Sequence, residues 1–286
     1  MMDFDFMPLR YRTSLSNNIE IFYEVRLRKD FPVKVKCLHG LKYLTYNGIS
    51  DFANNAIICN EDDIKQIISS VTEHSLYAHN DRIKQGFLIT KDGIRIGLAG
   101  ECVFDNNNII TVKNFTSLNI RIPHEVKGCS DKIFPIITKK KGVFNTLIIS
   151  PAMLGKTTIL KDLARKLSKQ NIGNILIIDE RGEFCKIREE NVDIISFSDK
   201  LYAFDFGLRS MSPNIVITDE LSSKLDWEYV EKASRSGVNI IASCHALSIN
   251  DVKRKKFFNE KVFERYVVIK DIGEIENIYD EAFNII

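Results

Sequence analysis

The stretch Thr146-Leu147-Ile148-Ile149-Ser150-Pro151-Ala152-Met153-Leu154-Gly155-Lys156-Thr157-Thr158 is an apolar run that breaks into a turn and restarts as a helix. Phosphate loops of the pattern G-x-x-x-x-G-K-[ST] work because successive backbone N–H groups wrap the phosphates, the lysine reaches the outer phosphates and the hydroxyl binds Mg²⁺. Gly155, Lys156 and Thr157 fit this pattern, whereas Ser150 stands where the first glycine belongs. Behind the loop, Ile159, Leu160, Leu163, Ala164 and Leu167 recur at helical spacing, which aims the positive end of a helix at a bound anion. Ser150, Pro151, Ala152, Met153, Leu154, Gly155, Lys156, Thr157 and Thr158 are therefore the candidate nucleotide-binding residues, with Thr157 a ligand for Mg²⁺. The plain alternative is an ordinary strand-to-helix turn with a solvated lysine, so the surroundings have to decide.

They favour the phosphate loop. Apolar runs at Ile175-Leu176-Ile177-Ile178, Ile215-Val216-Ile217-Thr218, Val238-Asn239-Ile240-Ile241-Ala242 and Tyr266-Val267-Val268-Ile269 are separated by helix-length connections. That predicts a mostly parallel sheet covered on both faces, with ligands beyond the carboxyl ends of its strands. Three runs end in polar groups. Asp219-Glu220 reads as a Walker B pair, Asp219 holding Mg²⁺ and Glu220 polarising the attacking water. Asp179-Glu180-Arg181-Gly182-Glu183 brings three carboxylates toward the same edge, and Ser243-Cys244-His245 offers a histidine to sense the outer phosphate. Any one of these could be a strand stopping at the surface, but together with Gly-Lys-Thr-Thr they predict a nucleotide-binding domain.

The preceding half has a different grammar. Residues 19–28 alternate, with Ile19, Ile21, Tyr23, Val25 and Leu27 on one face; Val33, Val35 and Cys37 resume the alternation after Pro32. Ile64, Ile67, Ile68 and Val71 form a helical stripe behind Glu61, Asp62 and Asp63, acids that suit a helix N-terminus. Short strands follow at 87–89, 94–96, 109–112 and 118–122, with turns at Lys91-Asp92-Gly93 and Asp105-Asn106-Asn107-Asn108. This predicts an α+β domain with a mainly antiparallel sheet over 1–124 and a second domain over 125–286.

Composition is consistent with a globular chain: 286 residues, 44% hydrophobic and 27% charged. A net charge of only +2 gives no overall field to recruit nucleic acid or anionic lipid. The start carries acids where a signal peptide carries bases, and no apolar run approaches the roughly 20 residues of a membrane span. The expected location is the cytoplasm. Six scattered cysteines without a C-x-x-C pair argue against a zinc site or redox motif.

Several segments, taken in order, resemble the stage III sporulation protein AA family: Ser75-Leu76-Tyr77-Ala78, Gln85-Gly86-Phe87, Gly97-Leu98-Ala99-Gly100, Ser117-Leu118-Asn119-Ile120-Arg121-Ile122, Glu125-Val126-Lys127-Gly128, Asp179 to Glu183, and Leu208-Arg209-Ser210-Met211-Ser212-Pro213 leading into Asp219-Glu220. The resemblance implies an α/β fold in which a RecA-like P-loop ATPase domain follows an α+β N-terminal domain, as in type II and type IV secretion ATPases. It further implies a homo-hexameric ring using ATP and Mg²⁺, peripheral at the membrane through channel components, that powers a channel from mother cell to forespore during endospore formation. Asp179 to Glu183, with Glu180 and Glu183 as carboxylates, then corresponds to an acidic box and His245 to a histidine box. Arg121 and Arg95 become candidates for reaching a neighbouring subunit's nucleotide. Ser150, Met153 and Leu154 depart from the usual loop, which suggests a tighter loop and weak nucleotide affinity. Two other readings stay open: a RecA-like nucleic-acid translocase, and a non-enzymatic P-loop scaffold.

Overall fold

The computed structural model describes residues 4–16, 22–122, 126–140, 142–152, 154–271 and 273–286. The chain divides into two compact units, Met1–His124 and Glu125–Ile286.

The first unit contains α1 (Leu9–Ser16), β1 (Phe22–Arg28), β2 (Lys34–Cys37), β3 (Gly40–Thr45), β4 (Gly48–Ser50), α2 (Glu61–Val71), α3 (Asn80–Lys84), β5 (Phe87–Ile89), β6 (Arg95–Asp105) and β7 (Asn108–Arg121). Its strands form one sheet in the order β4-β3-β2-β1-β7-β6-β5, with every pairing antiparallel. Val25, Leu27, Val35, Leu118 and Ile120 line the inner face and pack with Tyr11 and Leu15 of α1 and Ile64, Ile67 and Ile68 of α2. The runs at 109–112 and 118–122 belong to one long strand, β7, because β6 stays paired with it around bulges near Gly100 and Phe104. The alternation expected across 19–28 breaks at a bulge between Phe22 and Glu24. Phe22 therefore turns into the core and Tyr23 to solvent, the reverse of the simple period-2 assignment. Ile19 and Ile21 lie outside the described residues. Asp63 does more than suit a helix dipole: it closes a capping box with Asn60 and, buried, pairs with Arg10 and the Tyr11 hydroxyl.

The second unit contains α4 (Phe134–Ile137), β8 (Thr146–Ser150), α5 (Lys156–Lys169), β9 (Ile175–Asp179), β10 (Val192–Ser196), α6 (Lys200–Ser210), β11 (Ile215–Glu220), α7 (Lys224–Arg235), β12 (Asn239–His245), α8 (Ile249–Lys253), β13 (Arg265–Asp271) and β14 (Glu274–Tyr279). The sheet order is β10-β9-β11-β12-β8-β13-β14, parallel except for β14, which returns antiparallel beside β13. Successive side chains leave opposite faces, so each central strand feeds two cores. Leu147 and Ile149 pack with Phe204 of α6 and Trp227 and Val230 of α7, while Ile148 packs with Ile159, Leu160 and Leu163 of α5. Burial on both sides is why these strands read as unbroken apolar runs.

Candidate functional site

Parallel strands end together, so Ser150, Asp179, Asp219, Glu220 and His245 come to one edge of the sheet. Strand β12 lies between β8 and β11, and its register puts His245 opposite Ser150. On its other side the pairing breaks between Thr218 and Glu220, so that Glu220 falls opposite Ser243. That irregularity lets two consecutive carboxylates serve one site: Asp219 stays buried and within 3.4 Å of the Ser243 hydroxyl, while Glu220 reaches toward the loop.

In the loop, Gly155 caps α5 with φ of +84°, a left-handed backbone that an L side chain adopts only at a cost. Ser150 is not among the positive-φ residues. Glycine's freedom is therefore not required at that position, and the strain expected from the missing first glycine does not arise there. The Ser150 hydroxyl instead donates to the Pro151 carbonyl at 2.9 Å and accepts from Lys156 at 3.2 Å. Pro151 and Leu154 are partly buried and Ala152 is exposed; Thr157 and Thr158 are partly buried at the start of α5. Met153 lies outside the described residues.

Lys156 is not a solvated lysine: only 6% of it is exposed. Its ammonium donates to the carbonyls of Ser150 (3.0 Å) and Pro151 (2.7 Å) and meets His245 Nδ1 at 2.9 Å. Burial lowers its pKa, partly opposed by the charge of Glu220. Because an ammonium can only donate, Nδ1 accepts and the imidazole proton sits on Nε2, 3.1 Å from Glu220 Oε2. The same Glu220 oxygen accepts from Arg181 Nη2 at 3.1 Å. Lys156, His245, Glu220 and Arg181 thus form one connected chain.

The three carboxylates of 179–183 do not converge as the sequence suggested. Asp179 is fully buried and accepts from the backbone amides of Glu183 and Phe184, each at 2.9 Å, and from the Ser196 hydroxyl at 3.3 Å. It shapes the loop; burial raises its pKa despite these donors. Glu180 points away, more than half exposed, with Oε2 3.5 Å from Lys200. Only Glu183 enters the site. Burial raises its pKa, nearby Asp219 adds to the rise, and a hydrogen bond from the Thr157 side chain opposes it. Gly182 makes this loop possible with φ of +72° in a place where a Cβ would run into the Phe197 ring.

Arg95 and Arg121 belong to the first unit. They are direct cross-strand partners on β6 and β7, so they form one patch and are not independent alternatives. Arg95 lies over the Phe87 ring at 4.1 Å, and Arg121, 64% exposed, is 3.8 Å from Glu24. Arg181 and Lys200 were not singled out from sequence. The one usable signal was a lysine directly after Asp199 at a helix start, where a cation is electrostatically disfavoured.

The second unit's parallel sheet, with polar strand ends gathered around the loop, belongs to a mixed α/β fold that the chain shares with two solved proteins, an ATPase and a pilus retraction motor. DotB, an ATPase of Legionella pneumophila, superposes with a TM-score of 0.65 at 12% identity, covering 98% of this chain and 83% of that one. The pilus retraction motor PilT, solved with bound ADP, does so at 0.65 and 14% identity, covering 90% and 76%. Residues 8–286 match the family model described as Sporulation stage III, protein AA, and the chain belongs to that family. It is 30% identical over 283 residues to the stage III sporulation protein AA of Bacillus subtilis (strain 168), covering 92% of this chain and 88% of that protein.

Proposed function

We propose that this chain is an ATP-hydrolysing ring motor, akin to the secretion ATPases, that energises a channel between mother cell and forespore during endospore formation. The observation that carries this reading is the linkage of a buried phosphate-loop lysine to a strand-end glutamate through a single histidine. Lys156 would turn from the Ser150 and Pro151 carbonyls to the outer phosphates of ATP, exchanging neutral acceptors for anionic ones. Glu220, next to Asp219 at the end of β11, would take the proton of the attacking water. Glu183 and Glu180 are the remaining acidic candidates, and Glu183 is the better placed because it is tied to Thr157.

The residues present also fit Mg²⁺. Thr157 offers a hydroxyl and Asp219 a nearly buried carboxylate, and Glu183 is hydrogen-bonded to the Thr157 side chain. Mg²⁺ would supply charge neutralisation on the phosphate oxygens. Arg121, with Arg95 beside it, is the candidate to reach a neighbouring subunit's nucleotide in a homo-hexamer. The partners would be membrane channel components holding the ring peripherally at the membrane.

The test is ATP turnover measured against protein concentration for the wild type, Lys156→Ala and Glu220→Gln. Lys156→Ala should lose nucleotide binding. Glu220→Gln should bind ATP normally and turn it over about 10²–10⁴-fold more slowly, the usual contribution of a positioned general base. Specific activity should rise with concentration as the ring assembles. Assembly without turnover would mean a scaffold, and ATP affinity unchanged in Lys156→Ala would remove the phosphate-loop assignment.

A further inference from the structure

Lys200 begins α6, directly after the helix cap Asp199, and is only 6% exposed. Both facts are unfavourable for a cation: the ammonium loses hydration, and the first turn of a helix is its positive end. The offset comes from three separate elements. Nζ donates to the backbone carbonyl of Glu220, lies 3.5 Å from Glu180 Oε2 and lies 3.6 Å from Asp226 Oδ2. Asp226 already serves the N-terminus of α7, accepting from the amides of Ser222 at 2.7 Å and Ser223 at 2.9 Å. These amides and Lys200 hold its carboxyl below the usual range although burial opposes them. The cap of α7 is thus complete without the lysine. What Lys200 adds is a tie between the loop after β9 and the main chain at the end of β11. The same loop grips Glu220 twice, through Arg181 on the carboxylate and through Glu180 and Lys200 on the peptide.

We propose that Lys200 is a positioning residue for Glu220, fixing the peptide at the end of β11 so that the carboxylate keeps its direction toward the phosphate loop. The inference rests on the reading of Glu220 as the base. Misplacing a reacting group by about 1 Å costs about 10²-fold in rate, so removing the tie should act on turnover and leave nucleotide binding alone.

The experiment uses the full chain as wild type, Lys200→Met, Lys200→Arg and Ser223→Ala, the last removing part of the α7 cap without touching Lys200. Steady-state kcat and KM for ATP, affinity for a non-hydrolysable ATP analogue and urea stability are measured for each. Lys200→Met should lower kcat by about 10- to 100-fold, with KM and analogue affinity within about threefold of wild type. Lys200→Arg, which keeps a donor, should recover part of kcat, and Ser223→Ala should lose stability while keeping kcat. If kcat of folded Lys200→Met stays within twofold of wild type, or if Ser223→Ala loses as much kcat as Lys200→Met at equal stability, the inference is overturned. Parallel loss of analogue binding in Lys200→Met would overturn it too. Absence of turnover in the wild type would overturn the ATPase reading and this inference together, whereas wild-type turnover with an unaffected Lys200→Met overturns this inference alone.

Discussion

Asp162, in the middle of the phosphate-loop helix, fastens the beginning of the second unit to that helix, and replacing it with asparagine should have a cost that depends on pH. Its nearly buried carboxylate accepts from the Gly128 amide at 3.1 Å, the Ser130 amide at 2.9 Å and the Ser130 hydroxyl at 2.6 Å, and pairs with Lys166 at 3.0 Å. Burial alone would raise its pKa. The Ser130 donors, Lys166 and the Gly128 amide overcome burial and lower it from 3.8 to about 2. A carboxyl depressed in the folded state stabilises the fold above its unfolded pKa and loses that contribution as pH falls through the folded value. A shift of that size corresponds to about 2 kcal/mol at pH 7 and about 1 kcal/mol at pH 3.

Asparagine keeps one acceptor but turns an NH₂ toward the Ser130 donors, adding about 1 kcal/mol for an unsatisfied buried group, so the total at pH 7 is about 3 kcal/mol. Urea unfolding followed by tryptophan fluorescence reads this directly. Trp227 is the chain's only tryptophan and is buried in the second unit among Phe257, Phe258 and Phe263. The gap between wild type and Asp162→Asn should narrow by about 1 kcal/mol on going from pH 7 to pH 3. A gap under about 1 kcal/mol at pH 7, or one that does not narrow in acid, would refute the assignment of this network as the source of the shift.

Two further substitutions address the loops of the site. Ser150→Gly restores the usual loop pattern, yet because Ser150 has no positive φ and its hydroxyl accepts from Lys156, stability should fall by about 0.5–1 kcal/mol in urea titration. Nucleotide affinity should not improve, and a tenfold tighter complex would show that Ser150 does limit binding. Gly182→Ala meets both a left-handed backbone and the Phe197 ring, so it should lose at least about 1–2 kcal/mol. It should also reduce turnover by displacing Arg181 and Glu183; unchanged stability and activity would mean that the 180–183 loop is not held as described.

Strands β8, β9, β11 and β12 were legible in the sequence because burial on both faces makes a strand continuously apolar, and no helix of that length would be. Strand β10 was not, since Val192-Asp193-Ile194-Ile195-Ser196 lies at the sheet edge, where only part of each side chain is covered and the pattern weakens. β14 was missed for the same reason, with Glu274 and Glu276 turned outward on the opposite edge. Val25 and Leu27 share the buried face as expected, but Tyr23 was placed with them wrongly because a bulge has no signature in hydrophobic alternation. In the site, Lys156, Asp219, Glu220 and His245 could be found because each is a strand or helix end, and an end is a sequence-local property. Arg181 and Lys200 act through the reach of long side chains across several elements, a property that emerges only when those elements are packed. Asp179 shows the converse: its position at a strand end suggested chemistry, but its oxygens are occupied by backbone amides of its own loop.

The hydrogen-bond polarity of the site constrains how nucleotide occupancy could be communicated. Among the described residues, every hydrogen-bond acceptor of Lys156 is a neutral group: two carbonyls, one hydroxyl and the imidazole. A phosphate approaching the ammonium therefore exchanges neutral acceptors for anionic ones, in competition with the attraction that Glu220 and Asp219 exert on the lysine. The donor that leaves His245 Nδ1 is the one that fixes the tautomer, so its departure leaves Nδ1 with an open lone pair while Nε2–H still faces Glu220. The imidazole would then be free to turn, and its turning would reach the carboxylate 3.1 Å away without any movement of the sheet. Since β12 holds His245 directly opposite Ser150, the distance between the two events is set by one pair of adjacent strands. In the proposed function, coupling between phosphate contact and Glu220 would thus need only the rearrangement of a strand-borne histidine.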